Sequence, residues 1–191
     1  FLEAASFSHG SSLNISNISR ECQVERKVVE GYVHILEDLL LAFRLPVFAK
    51  RAKRAVTQHP KFYFFDTGVY NALRPSGPLD RPQEKDGAAL EGLVAQHLRA
   101  WIDYKHPDCR LSFWRTSSGT EIDFIVYGKE IFWAIEVKNT ASIRPEDMKA
   151  LKTFGEDYPE AKRILLYRGK EKLKRDGILI TPCAEFLMTL A

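Results

Sequence analysis

Asp123, Glu136 and Lys138 place two carboxylates and an ammonium inside apolar sequence, and it is there that chemistry is expected. They stand in Thr120-Glu-Ile-Asp-Phe-Ile-Val-Tyr-Gly-Lys-Glu-Ile-Phe-Trp-Ala-Ile-Glu-Val-Lys-Asn, two β-branched and aromatic segments flanking Gly128-Lys129, the pattern of a β-hairpin. Charge within an otherwise apolar strand is costly unless a partner or an ion holds it. Side chains alternate along a strand, so Glu136 and Lys138, two positions apart, share a face. Loop length decides where Asp123 falls. A two- or four-residue loop puts it on the face of Glu136, and a three-residue loop puts it on the other. A Gly-X pair favours the two-residue type II′ turn, and with it the converging arrangement. Asp, Glu and Lys meeting at a sheet edge can hold a hard divalent cation and a water.

The elements that must position these groups follow an α/β order. A helix from about Gly87 to Tyr104 carries Leu90, Leu93, Val94, Leu98 and Trp101 on one side, with Glu91 next to that stripe. Leu111-Ser-Phe-Trp-Arg reads as a strand, Thr116-Ser-Ser-Gly as a turn, and the hairpin comes next. Pro145 opens a helix to about Tyr158; strands are expected over 162–167 and 177–180, and a last helix over 182–190.

Upstream, residues 11–46 read as a helix-turn-helix, with Asn14 or Ser16 as the first N-cap and Val24 in the turn. Val28, Val29, Tyr32, Ile35, Leu36 and Leu39 form an apolar stripe on the second helix, whose other face offers Glu25, Arg26, Glu30, His34 and Asp38. Two strand-like stretches, 40–48 and 61–66, enclose Lys50, Arg51, Lys53 and Arg54 in a segment with no acid from Ala42 to Phe65. Two helices and a two-stranded ribbon with a basic tip are the layout of a winged helix, and the basic tip suits phosphate contacts. The mixed, rather acidic outer face of the second helix speaks against base readout in a major groove. Residues 75–86, rich in Pro, Gly and charge, read as a linker between a domain over 1–74 and another over 87–191.

The chain has 191 residues, a net charge of +3 and 45% apolar residues, enough for one large or two small cores. It has no apolar run of the roughly 20 residues that span a bilayer and no signal peptide, so a cytoplasmic protein without membrane contact is expected. Cys22, Cys109 and Cys183 are scattered and read as free structural thiols without metal-ligand spacing. No phosphate loop of the form G-x-x-x-x-G-K-[ST] is present, so no ATP site is expected. The first residue is Phe1 rather than Met, which fits a piece of a longer protein.

Asp123 followed by Glu136-x-Lys138 resembles the active-site pattern of the PD-(D/E)XK nuclease superfamily, which has the restriction-endonuclease-like fold. Glu91, in Gly87-Ala-Ala-Leu-Glu-Gly-Leu-Val, matches the place of that superfamily's helical acid, while Ile122 stands where its name has Pro. A closer resemblance covers nearly the whole chain. Val29-Glu-Gly-Tyr-Val-His-Ile-Leu-Glu, Pro60-Lys-Phe-Tyr-Phe-Phe-Asp-Thr-Gly-Val, Gly87-Ala-Ala-Leu-Glu, Phe113-Trp-Arg, Gly119-Thr-Glu-Ile-Asp-Phe and Ile135-Glu-Val-Lys are similar to the C-terminal region of a prokaryotic family of AAA+-type ATPases. In that family a winged helix leads into a domain of unknown function with a nuclease-like fold.

The resemblance implies an α/β (α+β) chain, a winged helix-turn-helix followed by a mixed sheet flanked by helices. It implies that Asp123 and Glu136 ligate Mg²⁺ or Mn²⁺ near the Val137 carbonyl, that Glu91 holds a second cation or its hydration shell, and that Lys138 orients the attacking water or stabilises developing negative charge. The implied reaction is metal-assisted phosphodiester hydrolysis, the implied partners are nucleic acid (DNA first) and an ATPase domain of the same protein, and the oligomeric state stays open. Other classes are a DNA-binding or regulatory appendage that does not cut, in which Asp123, Glu136 and Lys138 form a salt-bridge network, and a protein-interaction module. The helix after Pro145 lacks the Gln-x-x-x-Tyr motif of RecB-like nucleases.

Overall fold

A computed structural model describes residues 1–57, 59–78 and 81–190. The chain forms two compact units that are not consecutive in sequence: Phe1–Leu45 with His59–Gln96, and Pro46–Gln58 with His97–Ala191. Pro82, near which a boundary is expected, opens a helix whose first turns belong to the first unit. Proline at a first helical position loses no hydrogen bond and presets φ, so Pro82 opens the helix rather than breaking the chain. Of the expected linker, Leu79 and Asp80 lie outside the described residues.

The first unit runs α1 (Leu2–Ser6), β1 (Ser11–Ser12), α2 (Ile15–Cys22), α3 (Arg26–Asp38), β2 (Ala42–Leu45), β3 (Lys61–Phe64) and α4 (Thr67–Leu73), then the opening turns of α5 (Pro82–Lys105). Asn14 caps α2 by accepting the Asn17 N–H at 3.0 Å, and Asp66 caps α4 by accepting that of Val69 at 3.0 Å. β2 and β3 pair antiparallel from Ala42↔Phe64 to Leu45↔Lys61, and β1 adds on the far side to give the order β1-β3-β2. Ala5, Ile18, Val29, Val33, Leu36, Phe62, Phe64 and Tyr70 fill the core.

The apolar stripe expected on α3 divides. Val29 and Leu36 are buried, with Val33, which was not among the expected positions, beside them, while Val28, Tyr32, Ile35 and Leu39 are exposed. A helix can bury one stripe roughly 100° wide, and the apolar residues of α3 extend well beyond that width.

The second unit is built on a six-stranded sheet: β4 (Arg110–Arg115), β5 (Glu121–Tyr127), β6 (Phe132–Lys138), β7 (Lys162–Tyr167), β8 (Leu173–Arg175) and β9 (Ile178–Pro182), in the order β4-β5-β6-β7-β9-β8. β6, β7 and β9 are mutually parallel, and the outer pairs are antiparallel. A 3₁₀ turn, Pro145–Met148, and α6 (Lys149–Asp157) make the crossover from β6 to β7, where one helix from Pro145 was expected. Leu151, Phe154 and Tyr158 pack over Trp114, Ile125, Ala134, Leu165 and Ile180 on one face of the sheet. Trp133, the neighbour of Ala134 in the strand, points to the other face, stacks on Trp101 of α5 with ring centroids 5.1 Å apart, and meets Phe186 of α7 (Cys183–Leu190). The chain is α+β throughout, its mixed sheet flanked by helices.

Residues 46–58 complete this unit. Val47 bridges Phe113 in parallel and Val56 bridges Thr116 antiparallel, so the segment runs along β4, the edge strand. An uncovered edge is a template for unwanted pairing, and here the chain covers its own. Phe48 is anchored among Tyr127, Phe132, Phe154 and Tyr158 with ring centroids 5.5 to 6.5 Å away.

Candidate active site

Four residues, Gly128 to Ile131, separate β5 from β6, with the Gly128 N–H bonded to the Ile131 carbonyl at 2.8 Å. The two-residue turn expected at Gly128-Lys129 is therefore corrected to a longer loop. Gly128 is also absent from the glycines with positive φ, so left-handed freedom is not its purpose. A Cβ there would lie 2.4 Å from Cys109 Sγ and 3.0 Å from Asp108 Oδ2, and only a residue without a side chain lets them approach.

The register is the converging one. The ladder pairs Tyr127↔Phe132 through Phe124↔Ile135 and ends one residue short of Asp123 and Glu136, whose carboxylates both act on the Lys138 ammonium. On the other side, Trp114 pairs with Ile122 and Ser112 with Ile125, so β5 carries one extra residue at Asp123–Phe124. Such a bulge re-aims a side chain and ends regular pairing. The Asp123 carboxylate then takes the place of the ladder, its Oδ2 accepting the Val137 N–H at 2.9 Å.

Glu136 accepts from the Lys138 ammonium at 2.7 Å. Asp123 and Glu136 are buried, while Lys138 leaves 31% of its side chain in water. Burial works against the charged form of Lys138, but Glu136 first, then Asp123 and Asp147, outweigh it and hold its pKa above the ordinary lysine value. Asp147 was not among the residues expected here. It stands in the crossover's first turn, where its Oδ2 accepts the Arg144 N–H at 2.8 Å. Its sequence signal was an acid two residues after Pro145, in a helical first turn, a place where carboxylates are common for capping alone.

Asp123, Glu136, Lys138 and Asp147 sum to two negative charges, the complement of one divalent cation. Two carboxylates at adjacent strand positions suit Mg²⁺ or Mn²⁺, which bind oxygen donors.

Glu91 belongs to the first unit. There its Oε1 accepts from Lys61 Nζ at 2.9 Å and from the Tyr63 hydroxyl, so its charge is answered by a lysine of its own unit. The four basic residues of the expected nucleic-acid contact also differ among themselves. Arg54 is ion-paired with Glu156 at 2.6 Å and Asp157 at 2.9 Å, so the acids missing from the surrounding sequence arrive from α6. Lys50 lies with its ammonium 4.4 Å from the centre of the Tyr127 ring, and its carbonyl accepts the Tyr158 hydroxyl at 2.9 Å. Arg51 and Lys53 are exposed.

No described helix is long and apolar enough to cross a membrane. A family profile described as a domain of unknown function (DUF4143) matches residues 86–186, and a second, also a domain of unknown function (DUF8612), matches residues 1–80. No curated protein matches the chain.

Proposed function

We propose, from the premise that the chain belongs to the DUF4143 family, that its second unit is a metal-dependent phosphodiesterase of the PD-(D/E)XK kind acting on nucleic acid. The observation that carries this is the meeting of Asp123, Glu136 and Lys138 at one end of the β5–β6 hairpin. Asp123 and Glu136 hold Mg²⁺ or Mn²⁺, which when bound polarises a phosphate and lowers the pKa of a water. Lys138, the one member of the three that reaches solvent, orients that water or stabilises negative charge as it develops.

The first unit reads as a winged helix. Helix, strand, two helices and two strands, with the sheet order β1-β3-β2, support it. Arg51 and Lys53, in the segment along β4 of the second unit, are the available phosphate contacts, with Lys50 beside them. That the DUF4143 domain is found in AAA-ATPase-associated proteins supports an ATPase domain as partner.

The test is Mn²⁺ binding and Mn²⁺-dependent plasmid cleavage on the same variants. Lys138→Ala should abolish cleavage and leave Mn²⁺ binding intact or tighter, because a competing positive charge is gone. Asp123→Asn should remove both, since an amide is a poor ligand for a hard cation. Absence of metal-dependent cleavage by the wild type ends the enzyme hypothesis. A second reading, a non-cutting module that docks a protein, is favoured by one observation: Val28, Tyr32, Ile35 and Leu39 expose an apolar stripe where a DNA-reading helix carries polar side chains.

A further inference from the structure

His106, Asp108 and Cys109 lie between α5 and β4, in a turn closed by the Cys109 N–H on the His106 carbonyl at 2.8 Å. The turn folds residues three apart onto each other, so the imidazole, carboxylate and thiol each present one ligand atom, all within 4.8 Å of one another. The cysteines were expected to lack metal-ligand spacing, and for Cys109 the turn supplies it.

Each of the three is held from a separate direction. The His106 ring lies against Trp101, with centroids 4.1 Å apart. Asp108 Oδ2 accepts the Lys129 N–H at 3.0 Å, which ties the turn to the β5–β6 loop. Cys109 is 1% exposed, and the bare backbone of Gly128 is what lets that loop close over its sulfur. A cavity of about 200 Å³ opens beside them, lined by His106, Asp108, Lys129, Glu130 and Ile131.

We propose that His106, Asp108 and Cys109 form a binding site for a borderline-soft divalent cation of the Zn²⁺ class, with water or Glu130 as fourth donor. Nitrogen, oxygen and sulfur donors together select such a cation over Mg²⁺, which takes oxygen alone. Ligand atoms of a tetrahedral zinc site stand roughly 3.3–3.8 Å apart, so closure requires a shift of about 1 Å. Asp108 is exposed and His106 half-buried, so each has a solvent side toward which a rotamer change is open. The cavity gives the fourth donor room. The site shares no residue with the Asp123–Glu136–Lys138 cluster, so either can fail without the other.

Co²⁺ is the probe, because its bond to a thiolate gives a charge-transfer absorption in the near ultraviolet. The wild-type chain should develop that absorption with one equivalent of Co²⁺. It should bleach on adding Zn²⁺ and persist in excess Mg²⁺. The Cys22→Ser/Cys183→Ser double variant and Asp123→Asn should keep it, and Cys109→Ser should lose it. His106→Gln should bind Co²⁺ more than about tenfold more weakly. Zn²⁺ should also raise the melting temperature of the wild type and not that of His106→Gln. If Cys109→Ser does not fold, His106→Gln decides: undiminished Co²⁺ affinity there overturns the site. So does the absence of thiolate absorption in the wild type, or its survival in Cys109→Ser.

Discussion

Lys61 reaches Glu91 at 2.9 Å in the first unit and Lys138 reaches Glu136 at 2.7 Å in the second, yet the two pairs are built in opposite senses. Lys61 leaves only 2% of its side chain in water, and its glutamate is the more open partner. In the other pair Glu136 is the enclosed member and Lys138 reaches out. A cation enclosed beside its counter-ion has its desolvation offset within the fold. A cation at the mouth of a strand end can turn toward an arriving phosphate while its carboxylates stay fixed. The same two residue types thus enclose the cation in one place and leave it within reach of solvent in the other.

Substitution should expose this contrast most strongly. Glu91→Ala leaves Lys61 enclosed without that counter-charge and should lower stability by roughly 3–5 kcal/mol, whereas Lys138→Ala should cost about 1 kcal/mol or less. Urea unfolding of both variants measures the gap, and equal losses would erase the distinction.

His9 gives the next largest effect and belongs to the enclosed side of the comparison. Burial lowers its pKa from 6.5 to about 4, opposed in part by the Ala88 backbone, while its Nδ1 accepts the Phe64 N–H at 3.1 Å. Above about pH 6.5 neither folded nor unfolded chain protonates it. Below that the unfolded chain takes a proton that the folded one refuses, so stability falls until about pH 4, by about 3 kcal/mol. Melts of the wild type and His9→Asn across that window should converge as the pH drops, and parallel curves would sink the assignment.

The smallest effect concerns the exposed cations. If nucleic acid is bound, replacing Arg51 and Lys53 together by Ala should flatten the log–log salt dependence of affinity by roughly two units. Arg54→Ala should leave the slope nearly unchanged, because Glu156 and Asp157 already answer its charge. A larger change in slope for Arg54 than for the pair would show that its ion pairs open on binding.

Alternation and helical spacing made most elements legible. The hairpin, its converging register and the meeting of Asp123, Glu136 and Lys138 follow from period and parity, which are local properties of sequence. What stayed hidden depends on distance along the chain. Arg54 looked unneutralised because Glu156 and Asp157 lie about a hundred residues away. Gly128 looked like a turn former because its true neighbour, Cys109, is not adjacent in sequence. β8, Leu173–Arg175, went unread because three residues with one apolar side chain carry no period. On α3, spacing marked the apolar positions but could not say which of them would find a partner.

The segment that covers β4 has a consequence in time. Phe48 and Arg54 find their places against Phe154, Asp157 and Tyr158, which leave the ribosome about a hundred residues later. At about 5–20 residues per second that is a wait of roughly 5–20 s. During it an aromatic side chain and a run of positive charge lack the partners that cover them in the folded unit.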